Sequence, residues 1–193
     1  IPYIKKMPFK LKSKKSLNNF ICFAGNGFIV KGVDLVVDIF LELPHFNLEI
    51  YGPNTDSLFF DHYSDKINNS PNIKYRGFID VSSKEFENVC KRNSFQIFLS
   101  CSEGMATSVL TCMRYGIIPI VTYETSIDVD KFGFLVNEDD PLKIKVKAKE
   151  YIQTASQMDS KEFEWRRQKT IEYGNRFSAE KYLENMSETL KKL

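Results

Sequence analysis

The chain has 193 residues, 42% of them hydrophobic and 27% charged, which is apolar material for one full-sized core and favours one domain over two. With 27 basic against 25 acidic residues the net charge is +2, so no global nucleic-acid footprint shows, and nine glycines with seven prolines exclude a disordered or fibrous chain. No stretch approaches the ~18 apolar residues of a membrane span and no secretory leader is visible, so a cytoplasmic chain is expected.

The first fifteen residues, IPYIKKMPFKLKSKK, carry six lysines, two prolines and no acid, which argues against a packed helix. Residues 1–18 therefore read as a linker or arm: either a solvated connector or a basic segment that touches an anionic membrane surface. Residues 20–24 are a short apolar run ending in Gly25-Asn26-Gly27, the pattern of a buried strand entering a tight loop. The period then changes over residues 31–43. Val33, Val36, Val37, Phe40 and Leu41 share one helical face, with Asp34, Asp38 and Glu42 opposite. Residues 46–51, closed by Gly52-Pro53-Asn54, and residues 73–75, ending at Gly77, are further strands. Ser82 with Glu85 makes a capping-box signature for a helix that buries Phe86, Val89 and Cys90.

Residues 95–99 form the strongest strand pattern. A polar loop over 100–104 follows, then a helix from Ala106 to Tyr115, an apolar strand over 117–121 and a short strand over 132–136. Leu142, Ile144, Val146 and Ala148 alternate with lysines as in a strand. Yet Asp140 and Pro141 read as an N-cap and first helical residue, and Ile144, Ala148, Tyr151, Ile152 and Ala155 sustain a helical period, so a helix is predicted. Asp159 with Glu162 opens another helix, carrying Phe163 and Ile171. A last one holds Leu183, Met186, Leu190 and Leu193 on one stripe. Cys22, Cys90, Cys101 and Cys112 are scattered, with only His45 and His62 to join them, so free thiols of a reducing compartment are expected and a metal centre is not.

Alternating strands and helices predict an α/β fold: a doubly wound, mostly parallel, Rossmann-like sheet with ligands beyond the carboxyl ends of its strands. The candidate loops are 25–31, 52–54, 77–80, 100–108 and 122–126. The 100–108 loop enters a helix whose free N–H groups and positive dipole end suit a phosphate. Glu103 would then be a carboxylate beside an anion site, placed to grip hydroxyls or to act in catalysis. The plainer alternative is that Thr107 and Ser108 cap the helix and Glu103 is exposed. Gly25-Asn26-Gly27 lacks the third glycine of a dinucleotide fingerprint, since Val30 stands there. The second strand also ends in Tyr51-Gly52 where such a site needs an acid. Lys31, at the next helix start, could reach a diphosphate across the crevice.

The strings FAGNGFIVKGVDLVVDIF, LEIYGPN, NIKYRGFID, FQIFLSCSEGMATSVLTCMRYGIIPIVT, FGFLV and FSAEKY follow one another from Asn19 to the last helix. In order and spacing they resemble the C-terminal, nucleotide-sugar-binding domain of retaining GT-B glycosyltransferases of the family 4 type, the glycosyl transferases group 1. The resemblance implies that residues 19–193 are that domain and that the acceptor site and general base belong to a companion N-terminal domain absent from this chain. It implies metal-independent transfer of a hexosyl unit, with retention, from a nucleotide diphosphate sugar to a glycan or lipid-linked acceptor, with no cofactor and no nucleic acid involved. Glu103 would contact the donor sugar and Lys31 would neutralise the departing phosphates. Gly25, Asn26, Gly27 and Gly52 would shape the nucleotide-sugar site, and Phe78 with Ile79 would meet the base. Gly104, Met105, Ala106, Thr107, Ser108 and Val109 would bring backbone amides to the diphosphate.

Two positions depart from the family pattern. The second carboxylate of its Glu, seven residues, Glu motif is Thr111, which can hydrogen-bond a ribose hydroxyl without charge, ~1–3 kcal/mol more weakly. The arginine that follows the first glycine is Asn26, for which an upstream domain or Arg114 would have to compensate. These departures hold open an alternative, a degenerate, non-catalytic nucleotide-sugar-binding subunit. In either case the isolated chain is expected to bind nucleotide and catalyse little.

Overall fold

The computed structural model describes residues 16–129 and 131–191. The basic run of residues 1–15 lies outside them. Thirteen strands and α-helices follow in chain order, alternating as far as β5: β1 (Asn19–Phe23), α1 (Val33–Leu41), β2 (Asn47–Tyr51), α2 (Ser57–Asn68), β3 (Ile73–Tyr75), α3 (Lys84–Arg92), β4 (Phe95–Phe98), α4 (Thr107–Arg114), β5 (Ile118–Thr122), β6 (Phe134–Val136), α5 (Pro141–Ser156), α6 (Ser160–Asn175) and α7 (Ala179–Leu190). The six strands form one parallel sheet in the order β3-β2-β1-β4-β5-β6. That order reverses direction between β1 and β4. The loops leaving those two strands diverge to opposite faces and leave a crevice at the carboxyl edge of the sheet.

Both faces are covered, as a parallel sheet requires. Phe20, Leu48, Phe95 and Ile118 look into the larger core, which α1, α2 and α5 complete; Ile21 and Tyr51 look into a smaller cluster closed by Phe86, Val89 and Cys90 of α3. Three of the four cysteines are buried and none is in a disulfide; burial pushes the Cys22 thiol up to about 12. Among the described residues no helix is long and apolar enough to cross a membrane.

Strands and helices fall within two residues of the predicted bounds, with three differences. Helix α2 was not predicted. It buries Phe59, Tyr63 and Ile67 at i, i+4 and i+8, but Leu58, 73% exposed, and Phe60 blur that stripe in the sequence. The cap of α3 is Ser83, not Ser82. Its Oγ accepts from Phe86 N–H at 3.1 Å, while Ser82 Oγ donates to Asp80 Oδ1, so the residue three beyond the cap is Phe86 and no capping box closes. Leu183, Met186 and Leu190 of the predicted stripe are on α7, yet no residue of that helix is buried; Leu193 lies outside the described residues.

Gln96 breaks the apolar pattern of β4. It is fully buried, and neither its Oε1 nor its Nε2 has a partner. An unmatched buried amide is destabilising, so the near-isosteric Gln96→Met is expected to raise the stability by about 1–2 kcal/mol. Urea unfolding would show this as a higher midpoint at unchanged slope.

Candidate functional site

The crevice between β1 and β4 is built by two loops that touch. After β1 the chain turns tightly through residues 25–32, with Lys31 N–H donating to Gly27 O at 3.0 Å and Gly32 N–H to Ile29 O at 2.9 Å. Gly32 takes φ +67°, and a β-carbon there would fall 2.0 Å from Leu99 O, so only glycine lets this turn lie against the end of β4. The loop after β4 is stitched to it: Cys101 N–H donates to Val30 O at 3.0 Å and Ser100 Oγ to the same oxygen at 3.2 Å. From below, Thr122 Oγ1 donates to Ser100 O at 2.6 Å.

This scaffold brings Lys31 and Glu103 face to face. Lys31 Nζ donates to Glu103 Oε1 at 2.6 Å, and the side chains are only 21% and 14% exposed. Ser100 Oγ lies 3.3 Å from the same carboxylate oxygen. The pair borders a cavity of about 800 Å³ that runs from the end of β3 to the start of α4. One end is apolar, with Phe23, Pro53, Val81 and Phe78, the last 75% exposed. The other holds Lys31, Glu103, Ala106, Thr107, Ser108 and Thr111. Lys31 and Glu103 are its only charged lining residues among those described, so the cavity as it stands has no surplus charge.

Helix α4 begins at this cavity with Ala106 as its N-cap and no side-chain cap; α1 likewise begins after Gly32 without one. The five other α-helices described are each capped by an Asp or Ser side chain. At α1 the first turn is satisfied locally, Val33 N–H donating to Phe28 O at 2.9 Å and the Asp34 carboxylate accepting from the Leu35 N–H, whereas at α4 the N–H groups of Thr107 and Ser108, both lining the cavity, are left to a ligand or to water. The alternative in which Thr107 and Ser108 serve as caps and Glu103 is merely exposed is thereby excluded.

Of the predicted residues, Gly25, Asn26, Lys31, Gly52, Phe78, Glu103, Ala106, Thr107, Ser108 and Thr111 line the one cavity. Gly27, Ile79, Gly104, Met105 and Val109 do not. Gly27 is in the turn at φ +79°, Ile79 packs beside Phe86, Val109 points into the core, and Met105 is 44% exposed. Asn26 Oδ1 is taken up by Thr55 Oγ1 at 3.0 Å, tying the first loop to the one after β2. Arg114 does not compensate for it. That residue lies at the far end of α4, 2% exposed, with its Nε donating to Asn175 Oδ1 at 3.3 Å. Phe23, Ala24, Pro53, Val81 and Phe98 also line the cavity; Pro53 lies within the predicted 52–54 loop and the others flank predicted loops, but an apolar wall carries no motif.

Comparison with known proteins agrees with the fold. In solved structures the chain is similar to the pneumococcal O-GlcNAc transferase GtfA, crystallised with UDP and GlcNAc, at 18% identity and TM-score 0.71 over 92% of this chain and 36% of that one. It is similar to the catalytic domain of starch synthase IV from Arabidopsis thaliana, bound to ADP and acarbose, at 16% identity and TM-score 0.68, covering 93% and 40%. The lipopolysaccharide outer core galactosyltransferase WaaB matches at 19% identity and TM-score 0.66, covering 91% and 49%. At these identities the likeness is one of fold, and this chain spans less than half of each of those chains. No curated protein matches it in sequence. The model of the family described as glycosyl transferases group 1 matches residues 5–151, and the sheet fits the C-terminal domain of a GT-B enzyme. The chain belongs to the glycosyl transferases group 1 family.

Proposed function

We propose that the crevice binds a nucleotide diphosphate sugar and that this chain is the donor-binding half of a retaining hexosyltransferase. The observation that carries this is the meeting of the uncapped start of α4 with Lys31 in a cavity that is also walled by the apolar Phe23, Pro53, Phe78 and Val81. A diphosphate fits the helix start and the lysine, a base the apolar walls. The base would lie against Phe78 and Pro53 near Ile79, the ribose near Thr111, and the phosphates on the amides of Thr107 and Ser108. Glu103 would accept hydrogen bonds from the sugar hydroxyls.

In the transfer, the bond from the anomeric carbon to the phosphate oxygen breaks and its electron pair leaves with the diphosphate. The acceptor hydroxyl oxygen bonds to that carbon, and its proton passes to the departing phosphate oxygen. Lys31 and the α4 amides hold the charge that grows there. Metal independence belongs to this proposal: Lys31 and the amides of Thr107 and Ser108 would take a cation's place at the departing diphosphate. The companion N-terminal domain would supply the rest of the acceptor side, and the lysine-rich residues 1–15 would give peripheral contact with an anionic membrane.

Asn26 and Thr111 favour a second reading, a binding subunit without turnover, because the cavity has one lysine and that lysine is already paired. Calorimetric titration with UDP, GDP and ADP in EDTA tests the donor proposal. Saturable binding of one of them, unchanged by added magnesium, is expected; binding of none in the millimolar range by either this chain or the full-length protein would overturn it.

A further inference from the structure

A second cavity, of about 640 Å³, opens on the other side of Glu103. Glu103 is a wall of both, and the second lies over the ends of β4, β5 and β6, so together the two follow the carboxyl edge of the sheet from β3 to β6. Its chemistry differs from the first. Tyr123, on the single 3-10 turn Tyr123–Thr125 after β5, is 68% exposed, and Leu135 of β6 adds a second apolar surface. Glu124 and Asp128 contribute carboxylates, and among the described residues no lysine or arginine lines the space.

The turn that presents Tyr123 is held from three sides. Thr125 Oγ1 donates to Thr122 O at 2.7 Å, Ala106 N–H donates to Thr125 O at 3.0 Å, and Ser126 N–H donates to Tyr123 O at 3.1 Å. The last contact places Ser126 at φ 56°, the one positive φ at a described residue other than glycine. An exposed ring on a fixed support is a platform rather than a loose surface side chain. The C–H face of a pyranose packs on such a ring while its hydroxyls donate to acceptor-only carboxylates. The same carboxylates repel a phosphate, a sulfate or a uronate. The volume suits one or two sugar rings.

We propose that this cavity is an acceptor subsite for a neutral or amine-bearing pyranose, so that part of acceptor recognition resides on this chain and not on the companion domain alone. The assignment of the bound sugar as acceptor rests on the donor reading above. The attacking hydroxyl itself meets the diphosphate side of the anomeric carbon, and the rest of the acceptor would extend past Glu103, which lines both cavities, into this one.

Saturation-transfer NMR on the chain with methyl β-glucopyranoside, glucosamine and glucose 6-phosphate tests it, beside a nucleoside diphosphate titration of the same samples. The first two sugars are expected to receive saturation and glucose 6-phosphate far less. Tyr123→Ala should lower the signals about threefold or more while nucleotide affinity stays unchanged. Glu124→Lys should admit glucose 6-phosphate, a gain that misfolding cannot mimic. Unchanged sugar signals in Tyr123→Ala, or equal signals from glucose 6-phosphate in the native chain, would overturn the proposal with the donor reading intact. Tyr123-dependent sugar binding with no nucleotide binding would instead overturn the donor reading and leave a saccharide site.

Discussion

Replacing Lys31 with methionine is expected to weaken nucleoside diphosphate binding by about ten- to a hundredfold, the worth of one charge-assisted contact to phosphate. Glu103→Gln is expected to move the same affinity the other way, by about three- to tenfold, because the bound state competes with an ion pair of the free one. In the free chain Lys31 Nζ is 2.6 Å from Glu103 Oε1, and no second cation among the described residues lines the cavity. A diphosphate must therefore draw Lys31 away from a carboxylate that also repels it. The glutamine keeps the shape, removes both effects and leaves the lysine free for the ligand. For a nucleotide sugar the sign should differ, since the sugar hydroxyls then lose a charged acceptor. Calorimetry on the two variants, with UDP and with a UDP-sugar, reads both effects. If Glu103→Gln weakens the bare nucleotide as well, the pair is a support for the loop and not a competitor.

Gly32→Ala is expected to destabilise the fold by about 3–5 kcal/mol, more than any other single methyl in the crevice. Two costs add: φ +67° is unfavourable for alanine, and the new carbon would lie 2.0 Å from Leu99 O, a backbone atom that cannot swing aside. Relief requires the 25–32 turn to lift off β4. That breaks the Cys101 N–H to Val30 O bond and displaces Lys31, so nucleotide affinity should fall together with stability. Gly25→Ala is the control. Its β-carbon would meet nothing within 4 Å, and its unfolding midpoint should barely move. Urea unfolding of both variants separates the specific clash from a general intolerance of side chains in this loop.

How far the sequence could be read follows from what each element relies on. β1, β4 and β5 are buried on both faces and announce themselves as mainly apolar runs, with Gln96 the one buried polar interruption in β4. α5 was ambiguous in its alternating lysines, and the structure shows why both periods coexist. Lys145 and Lys149 stand one turn apart and pair with Asp38 of α1 and with Glu42, its C-cap, also one turn apart, while Lys147 pairs with Glu150. α2 hid because only three of its twelve residues are buried. At the site, Lys31 and Glu103 were legible from their loops, but their pairing was not, since 72 residues separate them and only the strand order brings them together. The reach of Arg114 was misjudged for the same reason. Its place on α4 is local information, whereas its direction is set by Asn175 and Gly174 on α6.

A crystal of this chain soaked with the nucleoside diphosphate that binds it best tests the central claim most directly. The account predicts two phosphates seated at the start of α4 against the amides of Thr107 and Ser108, Lys31 turned from Glu103 toward them, and the base against Phe78. Phosphates bound elsewhere, with the 2.6 Å pair of Lys31 and Glu103 undisturbed, would contradict it.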